Sequence, residues 1–288
     1  MFDLILQQLT NGLALGMSYA LVALGLTMVF GVLHIINFAH GEFYMLGAAG
    51  AVLLTLKVGL PYGAAVPLAV LGVALVAWGV DRVTVRPVLD NKDGATTVLL
   101  TTFAVSLLLE HGVLGTLGPS PMRVEGLEGT ISIGPVALTH QRVLVIGAGI
   151  VLLAALELVL RRTVLGKRIR AVAQSPFASR VVGIPIDSVR TITFVGAAAL
   201  AALAGCLLAP IVLFTPVMGQ HVIISAFVIV VVGGMGNVAG AVICGILLGV
   251  LEALASIVMP QEVGSAVIYA LLLVMLLVRP QGLFARAR

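Results

Sequence analysis

Residues 191 to 251 form a run of 61 positions without a single Asp, Glu, Lys or Arg. A soluble fold has no use for such a run, because the outward faces of its helices and strands need charged surface. A bilayer does: its hydrocarbon core, about 30 Å thick, asks for roughly 20 apolar residues per helix. The remainder of the chain has the same character, with 60% hydrophobic and 10% charged residues, against roughly 45–50% and 25% in soluble domains. Lipid offers the backbone no hydrogen-bond partner, so a spanning segment must satisfy itself. The expectation is an all-α fold, a polytopic transmembrane helical bundle.

Apolar segments fall at 4–30, 38–56, 62–80, 95–118, 142–160, 191–214, 222–258 and 264–278. The segment 222–258 is too long for one span and carries Gly233-Gly234-Met235-Gly236-Asn237, so it is expected to cross twice. This predicts about eight to nine spans, some of them interrupted. The first apolar run has no basic n-region and no small-residue cleavage site, and reads as a retained helix. Of the 16 basic residues, 13 lie in 81–94, 161–190 and 279–288. Lys and Arg accumulate in loops retained in the cytoplasm, and alternate crossings put these three stretches on one side. The C-terminus is therefore expected in the cytoplasm, and the proline-containing segment 119–141 outside. The N-terminus is expected outside, unless 31–42 dips in and returns. The net charge of +4 is used in those loops, which leaves a nucleic-acid partner without support. Cys206 and Cys244 sit in apolar runs without metal-ligand spacing, and are expected to pack rather than react.

Two apolar stretches, 25–56 and 227–258, are each broken in the first half by a polar or glycine-rich patch and followed by a helix rich in small residues. Paired interruptions of this kind point to a transport pathway, since irregular backbone is tolerated in a membrane only where it is buried or lines a cavity. Asn37 is placed to cap a helix beginning at Phe38, and Glu42 falls in its opening turns, where the helix dipole favours an acid. The alternative is that His34, Asn37, His40 and Glu42 form a short turn between two ordinary spans. Gly236-x-x-x-Gly240 and Gly245-x-x-x-Gly249 are spaced as packing seams, where small residues let backbones approach. Two acids lie deeper in apolar sequence. Glu110 shares a helix stripe with Thr102 and Ser106, and Glu252 follows the Gly245/Gly249 seam. Both are candidates for buried functional acids, with interfacial solvation as the alternative.

The loop 161–191 has specific punctuation. Ser175 before Pro176 is an N-cap with proline at the first helical position, and Gly183 before Pro185 is a stop. A helix of about two turns, 176–182, is expected, with Phe177 and Val181 on one face and Arg180 beside them. So short a helix is marginal alone. It is either a docking knob for a cytoplasmic partner or a loop resting on anionic headgroups.

Three stretches then carry a resemblance. Ile36-Asn37-Phe38-Ala39-His40-Gly41-Glu42 resembles the INFAHGE signature of the LivH-type permease subunits of branched-chain amino acid ABC importers. Gly166–Gln174, with Ala178 and Val182-Gly183-Ile184, is similar to that family's cytoplasmic loop, and Gly233–Ala241 to its GGMGSIPGA element. The resemblance implies an integral-membrane permease without cofactor or metal, occupying 1–288 as one transmembrane domain of the bacterial inner membrane. It implies a second homologous permease, two ATP-hydrolysing subunits and a periplasmic solute-binding protein as partners. The chain has no phosphate-binding G-x-x-x-x-G-K-[ST] motif of its own. On this reading Asn37, His40, Glu42, Gly233, Gly234, Gly236, Asn237 and Gly240 line or gate the pathway. Arg170, Gln174, Ser175, Pro176, Phe177, Arg180 and Gly183 couple to the ATPase. Ser175 and Phe177 stand where the family usually has Asn and an acid. Permeases for urea, short amides and aromatic acids share these motifs. A stand-alone ion-coupled transporter using Glu110 or Glu252 is the competing reading. A membrane enzyme built on Ser18 has no residue placed to activate the serine.

Overall fold

The first apolar stretch forms one uninterrupted helix, α1 (Phe2–Leu33), and the rest of the protein is arranged around it. The computed structural model describes residues 2–91, 93–133 and 136–260, together with positions 263, 266, 269, 270, 274 and 282–284. At 1.5 Å per residue the 32-residue α1 is about 48 Å long, well beyond the bilayer core. After it come α2 (His40–Val52) with a π-helical extension (Leu53–Lys57), and α3 (Tyr62–Val80). A second π-helical turn (Asp81–Val85) leads into α4 (Arg86–Leu89) and then α5 (Gly94–Leu117). Strands β1 (Thr130–Ile133) and β2 (Val136–Thr139) pair antiparallel, with Thr130 opposite Thr139 and Ile133 opposite Val136. The remaining helices are α6 (His140–Arg162), α7 (Val164–Gln174), α8 (Pro176–Val181), α9 (Ile186–Leu208), α10 (Met218–Gly233) and α11 (Val238–Ala255).

Among the described residues, six helices are long and apolar enough to cross a membrane: α1, α3 with its continuation to Leu89, α5, α6, α9 and α11. The helix α10 and the α2 segment are shorter. The break expected within 222–258 is present and divides it into α10 and α11. The expected last span, 264–278, lies outside the described residues except at isolated positions. The small hairpin in 130–139 departs from a purely helical chain. Its Thr-Ile-Ser-Ile and Val-Ala-Leu-Thr runs are rich in β-branched residues, a strand signal in a stretch that span-finding leaves as loop.

Burial divides the helices into centre and periphery. The apolar window of α1 is 83% buried, whereas that of α6 is 17% buried, so α1 is enclosed by the chain and α6 lies at its periphery. The contact between α1 and α11 is made by glycine. A Cβ on Gly12 would stand 2.7 Å from the Cα of Val250, and one on Gly245 would stand 2.7 Å from the Cα of Ala20. Gly16 and Gly249 meet backbone to backbone. Lipid tails are as apolar as leucine, so close van der Waals approach drives this association. The seam expected from Gly245 and Gly249 is therefore real, and its other half is Gly12 and Gly16. A second close approach joins α2 to α9, where Gly47 lies on Ala202 and Gly205 on Tyr44. Phe43 and Phe194 meet edge-on beside it, with ring centroids 5.9 Å apart.

Two of the basic stretches lie at one end. Arg86 pairs with Asp187 at 2.7 Å, and Arg190 with Asp90 at 3.0 Å, which joins 81–94 to 161–190. Such partly exposed pairs contribute about 0–1 kcal/mol each; their value here is positional. Leu283 N–H donates to the carbonyl of Val232 at 2.7 Å, bringing the middle of the third basic stretch to the end of α10.

The glycine seam gives a direct test. Gly16→Leu forces α1 and α11 apart and is expected to cost about 1–3 kcal/mol, read as a loss of thermal stability in detergent. Gly72→Ala, where an added methyl meets nothing within 4 Å, is expected to leave stability unchanged or slightly raised.

Candidate functional site

α2 starts inside the protein rather than at its edge. α1 ends at Leu33, and His34 takes a left-handed conformation, φ 56°, that turns the chain back. The ring Nε2 of His40 lies 3.0 Å from the carbonyl oxygen of Val22. Val22 precedes Leu33 by three turns of helix, so α2 begins roughly 16 Å back along α1. There Asn37, His40 and Glu42 are all buried, at 1%, 0% and 1% exposure. Of the four residues of the alternative short turn, His34 is exposed and the other three are enclosed by protein. This geometry also shifts the expected cap. The helix begins at His40 rather than Phe38, and Asn37 Oδ1 accepts from Ala39 N–H at 3.1 Å. The N–H of Phe38 is taken instead by Thr102 Oγ1 at 3.2 Å.

Thr102 belongs to the polar stripe of α5, and the whole stripe faces this point: Thr102, Ser106 and Glu110 are buried. Ser106 Oγ donates to Glu42 Oε1 at 3.3 Å, and Gln220 Nε2 donates to Glu110 Oε2 at 2.5 Å. Opposite Glu42 stands Gly219, where an added Cβ would lie 2.5 Å from Glu42 Oε2. Glu42 thus sits in the first turn of α2 and against the first turn of α10. Both helix N-termini favour negative charge at that position. Three side-chain atoms of the cluster have no hydrogen-bond partner among the described residues: Asn37 Nδ2, His40 Nδ1 and Glu42 Oε2. Each unmet buried polar group costs about 1–3 kcal/mol. In a membrane such groups are candidates for a functional site.

The second interruption lies elsewhere. α10 ends at Gly233, and Gly234 and Gly236 adopt left-handed φ of 93° and 84°, conformations that glycine reaches without strain. Asn237 caps α11, its Oδ1 accepting from Gly240 N–H at 3.1 Å, and its Nδ2 donates to the carbonyl of Phe284 at 2.6 Å. Gly233 and Gly240 pack backbone to backbone, while Gly236 approaches Gly31 near the end of α1. From Val22 to Gly31 is roughly 13 Å along α1, so the two breaks form separate layers. The glycine layer opens on a cavity of about 1140 Å³ at the basic end, lined among others by Thr27, Arg161, Arg170 and Asn237.

Sequence reasoning treated Glu42 and Glu110 as unrelated; α5 and α10 bring them to one cluster. Gly219 and Gln220 were missed, though a glutamine in the 61-residue uncharged run was a visible signal. Glu252 is not part of this cluster, and it is half-buried rather than buried. Its Oε2 accepts from the Tyr19 hydroxyl of α1 at 2.9 Å, near the end of α11.

In the loop at the basic end, Thr163 caps α7 and Ser175 caps α8, the latter accepting from Ala178 N–H at 3.2 Å. Gly183, at φ 79°, ends α8, and Ile184 N–H returns to the carbonyl of Ser179 at 3.0 Å. The helix keeps its shape by these caps and by burying Ser179. Its apolar residues point outward: Phe177 is 81% exposed, and Val181 and Val182 are each 73% exposed. Arg180 and Gln174 are exposed as well, whereas Arg170 turns back to donate to the Leu160 carbonyl at the end of α6.

The packing of Glu42 against Gly219 predicts a specific coupling. Gly219→Ala is expected to cost about 1–3 kcal/mol. Most of that loss should disappear in the double variant Glu42→Ala/Gly219→Ala, because the three heavy atoms nearest the added methyl all belong to the carboxyl group of Glu42. Additive losses in a thermal-unfolding cycle would contradict this arrangement.

Among known proteins, residues 8–276 match the family model described as the branched-chain amino acid transport system permease component. The chain is 33% identical over 296 residues to the high-affinity branched-chain amino acid transport system permease protein LivH of Escherichia coli K12, covering 98% of this chain and 96% of that one. It is 33% identical over 297 residues to BraD of Pseudomonas aeruginosa, with the same coverage, 98% and 96%. A probable LivH of the archaeon Methanocaldococcus jannaschii is 27% identical over 277 residues, covering 91% and 87%. In fold the chain is similar to the structure of PsaBC from Streptococcus pneumoniae in complex with Fab. There the TM-score is 0.54 at 11% identity, covering 94% of this chain and 91% of that one. The chain is a membrane-embedded transport subunit and belongs to the family of branched-chain amino acid transport system permease components.

Proposed function

We propose that residues 1–288 form one permease domain of an ABC-type importer that moves branched-chain or related amino acids across the bacterial inner membrane. A periplasmic binding protein delivers the solute. A second, homologous permease completes the membrane unit, and two ATP-hydrolysing subunits sit at the basic, cytoplasmic end together with the C-terminus. The relatives' names support the solute. The structural observation that carries the coupling is the capped helix α8, held rigid at the basic end with Phe177, Val181 and Val182 facing outward and unmatched. Exposed apolar groups on a short fixed element suit a protein partner.

The mechanism follows from what α8 is fixed to. Ile184 closes the end of α8, and Ile186 opens α9. α9 lies in backbone contact with α2 through Gly47/Ala202 and Gly205/Tyr44. Close-packed helices move as bodies rather than deforming locally. A push on α8 from closing ATPase subunits therefore moves α9, and α9 carries the buried start of α2. Asn37, His40 and Glu42 would then exchange partners with α5 and α10, while the glycine layer at Gly233–Gly240 opens or closes the cavity at the cytoplasmic end.

Arg180→Glu and Phe177→Ala are each expected to weaken co-purification of the ATPase subunits about tenfold or more, the scale of an interface hot spot. Both residues are exposed, so membrane insertion and thermal stability should not change. Normal co-purification and uptake in both variants would contradict the docking role of α8.

A further inference from the structure

Arg142 is one of three basic residues, with Lys57 and Arg123, that fall outside the basic stretches. It stands in the first turn of α6, at the end of that helix away from Arg161 and Arg162. Its guanidinium is half-buried and makes no hydrogen bond or ion pair among the described residues. Across from it, near the end of α11, is Glu252. One oxygen of Glu252 accepts from Tyr19, and the other has no protein partner among the described residues. The two charges do not pair with each other, yet both line one cleft of about 210 Å³ whose walls include Leu15, Leu208, Ile211 and Val212. The neighbouring amides Gln8 and Asn11 are occupied with one another, Asn11 Nδ2 donating to Gln8 Oε1 at 2.9 Å. At about 30 Å³ per water the cleft has room for roughly seven waters, the scale of a valine or leucine molecule.

An unpaired cation and an unpaired anion beside aliphatic walls match one ligand chemistry closely. Desolvating either charge alone is costly, and a ligand that carries both opposite charges offsets both costs at once. We propose that this cleft binds the zwitterion of an aliphatic α-amino acid. Glu252 receives the ammonium, Arg142 the carboxylate, and the four aliphatic residues the side chain. The inference rests on the permease reading and extends it by assigning a binding site on the delivery side. The cleft lies at the end opposite the basic stretches. Its wall residue Leu15 is two helical turns along α1 from Val22, whose carbonyl meets His40. A solute released from the cleft would thus stand roughly 10 Å along α1 from the buried start of α2.

A zwitterionic phospholipid headgroup carries the same pair of charges, so lipid composition belongs in the test. The assembled transporter, without binding protein, is reconstituted in phosphatidylglycerol nanodiscs. Binding of leucine, isopentylamine (no carboxylate) and 4-methylpentanoate (no ammonium) is then measured. Leucine is expected to bind at least tenfold more tightly than either analogue. Arg142→Gln should weaken leucine about tenfold and leave isopentylamine unchanged, Glu252→Gln should leave 4-methylpentanoate unchanged, and Arg142→Lys should recover part of the leucine affinity. A merely structural role would instead lower all three ligands together in both variants, and that result would overturn the proposal. Unaltered leucine binding in both variants would overturn it too, as would loss of leucine binding when phosphatidylethanolamine is added. Wild-type protein that imports leucine with ATP but shows no leucine binding in this assay would remove the cleft and leave the permease reading intact. Leucine binding with the expected analogue pattern but no ATP-driven uptake would do the reverse.

Discussion

A helix that starts in the middle of a membrane has first-turn N–H groups that lipid cannot satisfy. The start of α2 is such a place, and much of the structure exists to complete it. Asn37 takes the N–H of Ala39, Thr102 takes that of Phe38, and His40 is held on the carbonyl of Val22. Glu42 supplies negative charge where two helix N-termini meet. The parts come from α1, α2, α5 and α10, so the cluster forms only when all four are in place. The provision is incomplete, since three buried polar atoms remain without partners. A bundle that only had to be stable would have met or removed them.

Glycine makes the provision possible. α1 reaches the centre because α11 can lie directly on it along Gly12, Gly16, Gly245 and Gly249. α2 reaches α9 through Gly47 and Gly205 in the same way. On the proposed reading, the same close packing would set the path of force. α9 is the one described helix that begins beside the exposed knob α8 and also lies backbone to backbone on α2. On the proposed reading, a partner moving at the basic end would reach the polar cluster deep in the bundle through this one close-packed helix, without a chain of side-chain switches.

Most of this architecture was legible in the sequence, for physical reasons that can be named. Bilayer thickness dictates span length, so α1, α3, α5, α6, α9 and the α10–α11 pair followed from apolar runs alone. Ser175, Pro176 and Gly183 announced α8 to within a residue because caps and stops depend on local backbone chemistry. The site was half legible. Asn37 and Glu42 stood out as polar residues in apolar sequence, but the cap lies two residues later, at Ala39, and a distant threonine, Thr102, takes the N–H of Phe38. The meeting of Glu42 with Ser106 and Gly219 is tertiary, and no spacing encodes it. The same holds for the joint occupancy of one cleft by Arg142 and Glu252, which are more than 100 positions apart in the chain. The hairpin at 130–139 was missed because its strands are too short to register beside long apolar helices.

The central claim is that this bundle moves its solute by force received from partner ATPases at the basic end. The most direct measurement is leucine uptake into proteoliposomes holding the complete complex, with ATP supplied on the side of α8 and the ion gradients dissipated by ionophores. The account predicts uptake that requires ATP on that side and survives the loss of the gradients. Uptake that persists without ATP and collapses with the gradients would contradict it, and would make Glu110 or Glu252 the ion relay of a transporter that works alone.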